Sequence, residues 1–203
     1  MTGPGTGGEA ALSRAAEAGP PCGEPPTAED LEAVHSQLGR EPRGVVEVAH
    51  RCPCGDPDVV RTSPRLPDGT PFPTTFYATC PRLTGAISTL ESEGVMKQMQ
   101  DRLADDPELA RAYALAHEDY LRRRAELADV PEIAGISAGG MPERIKCLHV
   151  LVAHSLAAGL GVNPFGDEAL ELLPRWWENP CRDRHATGPK GSAARTAQEQ
   201  EEA

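Results

Sequence analysis

The 203-residue chain predicts an α+β fold, with a small antiparallel sheet of about three strands packed on four or five helices. Two observations carry this expectation. Between residues 45 and 80, three short β-branched or aromatic runs are joined by Pro/Gly/Asp turns, and after residue 84 the apolar residues change to helical spacing. A third observation sets the limits. Residues 1–26 hold six Gly and five Pro with Leu12 as the one large aliphatic, and from Arg182 onward Ala is the only apolar residue type. Neither end has enough apolar surface to offset its ordering entropy. The expectation is therefore a single domain over 27–181, flanked by disordered tails at 1–26 and 182–203.

The first element is a helix in TAEDLEAVHSQLG, with Thr27 as N-cap, Asp30 three residues on, Leu31, Val34 and Leu38 on one stripe, and Gly39 as terminator. Glu41-Pro42-Arg43-Gly44 then turns the chain. Strands follow in VVEVAHR (45–51) and DVVRTS (58–63), separated by the tight loop CPCGDP, and TTFYATC (74–80) is the third. From Thr84, Ile87 and Leu90 lead to Gly94, after which Val95, Met99 and Leu103 share a stripe. Pro107 is placed to open a longer helix with Leu109, Tyr113, Ala116, Tyr120 and Leu127 on its buried side. Residues 129–140 read as a loop, Pro142 as the start of a helix, and NPFG (163–166) as its breaker. Asp167 caps a short helix to Leu173, and Trp176-Trp177 close the fold.

The formal charge of −11 falls mostly on 27–181 and disfavours nucleic acid and anionic lipid as partners. The one basic run, Arg122-Arg123-Arg124, lies in a helical pattern and reads as a solvated face. The N-terminus shows neither the basic region nor the apolar run of a secretory signal, so the expected location is cytoplasmic. In that compartment six cysteines read as thiols or metal ligands rather than disulfides.

The stretch MPERIKCLHVLVAHSLAAGL (141–160) carries the chemistry. After Lys146 no charged residue appears until Asp167, but Gly159, Gly161, Asn163 and Pro164 end the helix too early for a membrane span. On a helical wheel both faces are apolar, which predicts a helix buried all round at the centre of the fold. In a regular helix Cys147 and His149 point about 160° apart, and Cys147 and His154 sit about 10 Å apart along the axis. Neither pair alone forms a helical metal site, so other ligands must come from Cys52, Cys54 and Cys80. CPCG resembles a zinc knuckle with one intervening residue instead of two. Cys52, Cys54, Cys80 and Cys147 are thus the candidate metal ligands, with zinc as the candidate ion. The alternative is that they are ordinary buried thiols. The other feature is SAGGMPERIK, where Gly139 and Gly140 precede the expected helix and Arg144 and Lys146 fall in its first turns. Such a loop can hold a phosphate or carboxylate; alternatively, Glu143 or solvent satisfies the two cations. His35 and His50 read as surface or cap residues.

Several strings resemble one bacterial domain-of-unknown-function family, number five hundred and one: LGREPRGVVEVAHRCPCG, PRLPDGTPFPTTFYATCPRL, GGMPERIKCLHVLVAHSLAAG and GVNPFGDEAL. The resemblance runs from about Leu38 to Cys181. It implies no particular activity; members are often encoded beside a septum-formation initiator and an exopolyphosphatase. The family's pattern matches Cys80, Lys146, Cys147, His149 and His154 here and marks them as a functional cluster. Two functions are open. In the first, Cys147, His149 and His154 form a catalytic or binding pocket beside Gly139, Gly140, Arg144 and Lys146 for an anionic, phosphorylated small molecule. In the second, the chain is a non-catalytic interaction protein tied to cell division, its cysteines structural and its partner met by the acidic surface and the Trp176-Trp177 corner.

Overall fold

The computed structural model describes residues 16–179 and Cys181; the remainder of both expected tails lies outside the described residues. The architecture is α+β. Four strands, β1 (Pro21–Glu24), β2 (Val45–Arg51), β3 (Pro57–Thr62) and β4 (Phe76–Ala78), form one antiparallel sheet in sequence order. Among the described residues six α-helices of full extent accompany it: α1 (Ala28–Leu38), α2 (Pro81–Ser92), α3 (Val95–Asp105), α4 (Pro107–Ala125), α5 (Leu148–Ala158) and α6 (Pro164–Leu172).

The local chemistry of α1 follows its sequence. Thr27 Oγ1 accepts from Asp30 N at 3.1 Å while Asp30 Oδ2 accepts from Thr27 N at 2.9 Å, closing a reciprocal capping box. Gly39 ends the helix at φ 66°, a left-handed geometry that favours glycine. Pro107 opens α4 with Asp106 as its cap, and Tyr113, Ala116 and Tyr120 are buried on the face expected.

The sheet has one more strand than the sequence predicts. Residues 21–24, placed in the N-terminal tail by composition, pair with β2 (Pro21 opposite His50, Glu24 opposite Val48), and Ala18 is fully buried. A four-residue Pro/Gly strand has no hydrophobic pattern of its own; its partner supplies both the hydrogen bonds and the burial. Arg124 departs in the other direction. It is buried, with its guanidinium donating to the carbonyls of Ile133 (2.7 Å) and Ile136, so only Arg122 and Arg123 of the basic run face outward, both paired with Asp119.

Helix α5 is the hub. Every residue from Leu151 to Ala157 is buried, and the helix packs on β4, β1, α2 and α6. Its contact with α6 is closest at Gly166, where a Cβ would stand 2.2 Å from Leu151 O. Asn163 rather than Asp167 caps α6, through Asn163 Oδ1 and Gly166 N at 3.0 Å. Among the described residues no helix is long and apolar enough to cross a membrane.

Helix α5 also begins later than predicted, at Leu148 and not Pro142. Gly139 and Gly140 adopt φ of 75° and 95°, and the chain folds back so that Lys146 N donates to Gly139 O (2.8 Å) and Arg144 N to Gly140 O (2.9 Å). In a helix opened by Pro142 the amides of Ile145 and Lys146 would donate to Met141 O and Pro142 O; here they are taken by Gln100 Oε1 and Gly139 O. Cys147 is consequently an extended N-cap residue at φ −157° and ψ 109°.

Candidate functional site

The late start of α5 overturns the helical-wheel argument about Cys147 and His149. Outside the helix, the Cys147 side chain is free of the 100° step and swings toward the first turn. Its Sγ lies 3.8 Å from His149 Nδ1. Glu91, at the end of α2, completes the group: its Oε1 lies 3.2 Å from the same His149 Nδ1 and accepts from Leu148 N at 2.7 Å. The other ring nitrogen, Nε2, meets the Thr84 carbonyl at 3.2 Å. The Cys147 hydrogen bond raises the His149 pKa to about 9, with burial opposing and Glu91 assisting.

Cys147 and His149 line a cleft of about 510 Å³ whose walls also include Gln37, Leu38, Tyr77, Pro81 and Thr84, with Glu91 just behind them. Gln37 donates from Nε2 to Pro57 O, but its buried Oε1 has no hydrogen-bond partner. A neighbouring cavity of about 490 Å³ shares Leu38 and Tyr77 but contains neither thiol nor imidazole.

The remaining predicted residues go to different places. Cys80, at the N-cap of α2, turns inward, its Sγ 2.9 Å from Cys181 Sγ. Cys54 Sγ lies 3.3 Å from Cys181 Sγ, and the sulfurs of Cys52, Cys54 and Cys181 are within 4.8 Å of one another. Of the candidate ligands read from sequence, the structure gathers Cys52 and Cys54 with Cys181, puts Cys80 beside Cys181, and leaves Cys147 in the separate group with Glu91 and His149. Sequence reasoning set the boundary of the fold at Cys181 and overlooked its thiol; the Trp-Trp-Glu-Asn-Pro-Cys run that follows Arg175 gives no local sign that the chain folds back onto the CPCG loop.

The four sulfurs are thiols rather than disulfides. The two separations from Cys181 Sγ, 3.3 Å to Cys54 and 2.9 Å to Cys80, far exceed an S–S bond of about 2.05 Å and fall below the edge of about 3.8 Å expected around a zinc with Zn–S of about 2.3 Å. A hydrogen bond from Cys181 pulls the Cys52 pKa down to about 7, and Cys80 is lowered by the same donor, with the amides of Arg82 and Leu83 at the start of α2 contributing. Cys181 is raised correspondingly. Nearby, fully buried Asp58 opposes ionisation of Cys52 and Cys80, and its Oδ2 has no partner. Buried thiols of mixed acidity beside an orphaned carboxylate oxygen form a donor set that can hold a cation.

His154 sits apart from both clusters. Fully buried, it stacks on Phe76 and meets Tyr120 edge-on, with Nε2 donating to Asp119 Oδ2 (3.0 Å) and Nδ1 accepting from Asn163 Nδ2 (3.3 Å). Desolvation lowers its pKa. It is a core histidine with both nitrogens satisfied. His50 is also buried rather than a surface residue, held between Asp58 Oδ1 (2.6 Å) and Gly19 O (3.2 Å). The Gly139–Lys146 loop does not form a phosphate cradle at a helix start. The amides of Arg144, Ile145 and Lys146 donate to Gly140 O, Gln100 Oε1 and Gly139 O, while the Arg144 and Lys146 side chains are exposed on a separate open groove. At the expected aromatic corner, Trp176 is buried against Trp177.

Fold and sites together define a small α+β protein with a buried thiol cluster and a separate thiol–imidazole–carboxylate cleft. Its sequence matches the model of the family described as Protein of unknown function (DUF501) over residues 48–171, more than half of the chain, and the protein belongs to that family. No curated protein and no solved structure gives a match. Cys52, Cys54, Cys80, Cys147 and His149 lie within the matched segment and Cys181 ten residues beyond it.

Proposed function

We propose that this protein binds a small molecule in the cleft at the start of α5, with Glu91, Cys147 and His149 as the reactive end, on a scaffold stapled by zinc at Cys52, Cys54, Cys80 and Cys181. One observation carries the reading: the chain sorts its chemistry into two places. The thiols of one group, with Cys54 half-buried and the others buried, gather between the sheet, α2 and the C-terminal segment, a set of the kind closed structural zinc sites use. The other group is half-buried, with its Cys147 and His149 lining a ligand-sized cleft. The unpartnered Gln37 Oε1 gives the cleft a fixed acceptor for a ligand N–H or O–H.

The reading favours a binding or catalytic protein over a purely structural one. A phosphate clamp at Arg144 and Lys146 is not part of it, because those side chains line another groove. Native mass spectrometry with metal analysis of the freshly purified chain tests the staple: zinc is expected on the wild type and is lost from the buried cluster in Cys181→Ser. A thermal-shift screen of metabolites tests the cleft. Stabilising compounds should lose their effect in Val150→Trp, which fills the cleft; shifts that survive in that variant would remove the cleft from the function.

A further inference from the structure

Glu91 Oε1, Cys147 Sγ and His149 Nδ1 converge on one point, and the surrounding hydrogen bonds show what that point requires. Thr84 O can only accept, so the His149 nitrogen facing it, Nε2, carries the hydrogen. Nδ1 then carries the second proton of the charged ring, and in the neutral form that a metal ion takes it is a bare lone pair. It faces a carboxylate oxygen at 3.2 Å and a sulfur at 3.8 Å, which as a thiol donates its S–H to the ring and as a thiolate joins the carboxylate as a lone-pair donor. The Glu91 oxygen is itself held from behind by Leu148 N at 2.7 Å. A histidine whose second N–H is anchored on a backbone carbonyl, beside a carboxylate oriented by an amide, is the outer arrangement that fixes metal ligands.

His50 shows what a proton alone does in this fold. There the ring sits between a carboxylate oxygen at 2.6 Å and a carbonyl at 3.2 Å, fully buried, and its two nitrogens meet one acceptor each. At His149 one ring nitrogen faces both the sulfur and the oxygen, and the oxygen stands 0.6 Å further away than at His50. The spacing fits a larger cation. Around a tetrahedral zinc with bonds of about 2.3 Å to sulfur and about 2.1 Å to nitrogen and oxygen, ligand separations are about 3.6 Å for S···N and about 3.4 Å for N···O.

We propose that Glu91, Cys147 and His149 hold a transition-metal ion, zinc by the nature of the donors, with its fourth position open to the cleft. This inference rests on the reading of the cleft as the ligand site and assigns its chemistry: Lewis-acid contact with a water or with a donor atom of the bound molecule. Three protein ligands with one free position distinguish such a centre from the closed thiolate staple. The donor charges support it as well, since a carboxylate, a thiolate and a neutral imidazole balance a divalent cation.

Metal stoichiometry of the full chain is the test, with zinc itself as probe and thermal melts as the folding control. Wild type should carry two equivalents, and His149→Ala and the conservative Glu91→Gln should each carry one with melting otherwise cooperative. Cys181→Ser should lose the staple ion and keep the cleft ion. Refilling with cobalt should give, in Cys181→Ser, a mixed nitrogen–oxygen–sulfur spectrum that disappears in the double variant with His149→Ala. One equivalent on wild type, lost in Cys181→Ser and unchanged in His149→Ala and Glu91→Gln, overturns the cleft metal and leaves the staple standing. A chain with no zinc that also fails to take up added zinc overturns both. The ligand screen against Val150→Trp reads the cleft itself, so its failure is separable from either metal result.

Discussion

Substituting Gly166 by Ala should destabilise the protein, although the change improves intrinsic helix propensity. Gly166 occupies the first turn of α6 at ordinary helical geometry, where Gly→Ala in an open site gains up to about 1 kcal/mol. The space is not open: the added Cβ would stand 2.2 Å from Leu151 O and 2.4 Å from Ser155 Oγ. Ser155 can rotate, but Leu151 O belongs to the backbone of α5, so α6 must withdraw by about 1 Å along its closest contact. Overpacking of this kind costs about 1–3 kcal/mol, occasionally more. With a backbone atom as the obstacle we take about 3 kcal/mol, and subtracting the propensity gain leaves about 2 kcal/mol, a fall in Tm of about 4–8 °C at this chain size. Gly85 is the internal control. It lies within α2 with nothing within 4 Å of where an added Cβ would stand, so Gly85→Ala should raise Tm by up to about 4 °C. Thermal unfolding of both variants by circular dichroism decides the matter. A Gly166→Ala melt at or above wild type would refute the claim that α6 is seated on the α5 backbone.

Three further outcomes are expected. Cys181→Ser should lower Tm and abolish the share of chelator-induced destabilisation that removal of the staple ion causes in the wild type, leaving only that of the cleft ion; an unchanged Tm in the variant and in the chelated wild type would leave the thiols without a structural role. Asp119 is pushed up by burial but held well below the usual carboxylate range by hydrogen bonds from His154, Arg123 and Arg122. Its contribution is therefore present above the unfolded pKa of about 3.9 and is lost as pH falls below it, so the stability gap between wild type and Asp119→Asn should narrow in acid urea titrations; a gap constant from pH 7 to pH 3 would contradict this. Gly140→Ala places a side chain at φ 95° with its Cβ 2.6 Å from Arg144 O, and should cost about 1–3 kcal/mol while disturbing Cys147 enough to weaken zinc at the cleft. Normal zinc content and an unchanged melt would show that the loop does not set the position of Cys147.

Where the fold is governed by neighbours in sequence, the chain is readable. The Thr27 capping box, the β-branched strands, the Pro107 helix start and the apolar run of α5 are local chemistry, and the structure has each of them. The misreadings share one cause, a distant partner that outweighs local preference. Residues 21–24 become a strand because β2 offers an edge; Arg124 is buried because the loop at 133–136 presents carbonyls. Pro142 does not open a helix because Gly139 and Gly140 supply acceptors to the amides that follow. The candidate site shows the same division. The residue types Cys147 and His149 stood out in sequence, but their approach depends on the helix starting just after Cys147 instead of before it. Glu91 and Cys181 stand 56 and 34 residues from Cys147 and carry no periodic mark.

The pairing of β1 with β2 has a practical consequence for anyone trimming the chain. Cutting at residue 26, where composition alone would place the limit, removes the strand that covers β2 and the Gly19 carbonyl that receives a hydrogen bond from His50. It also removes Glu17, whose ion pair with Arg175 ties the beginning of the described chain to its end. The shortened protein would present a bare row of amides and carbonyls to its neighbours, a surface that recruits strands from other molecules and favours precipitation at high concentration.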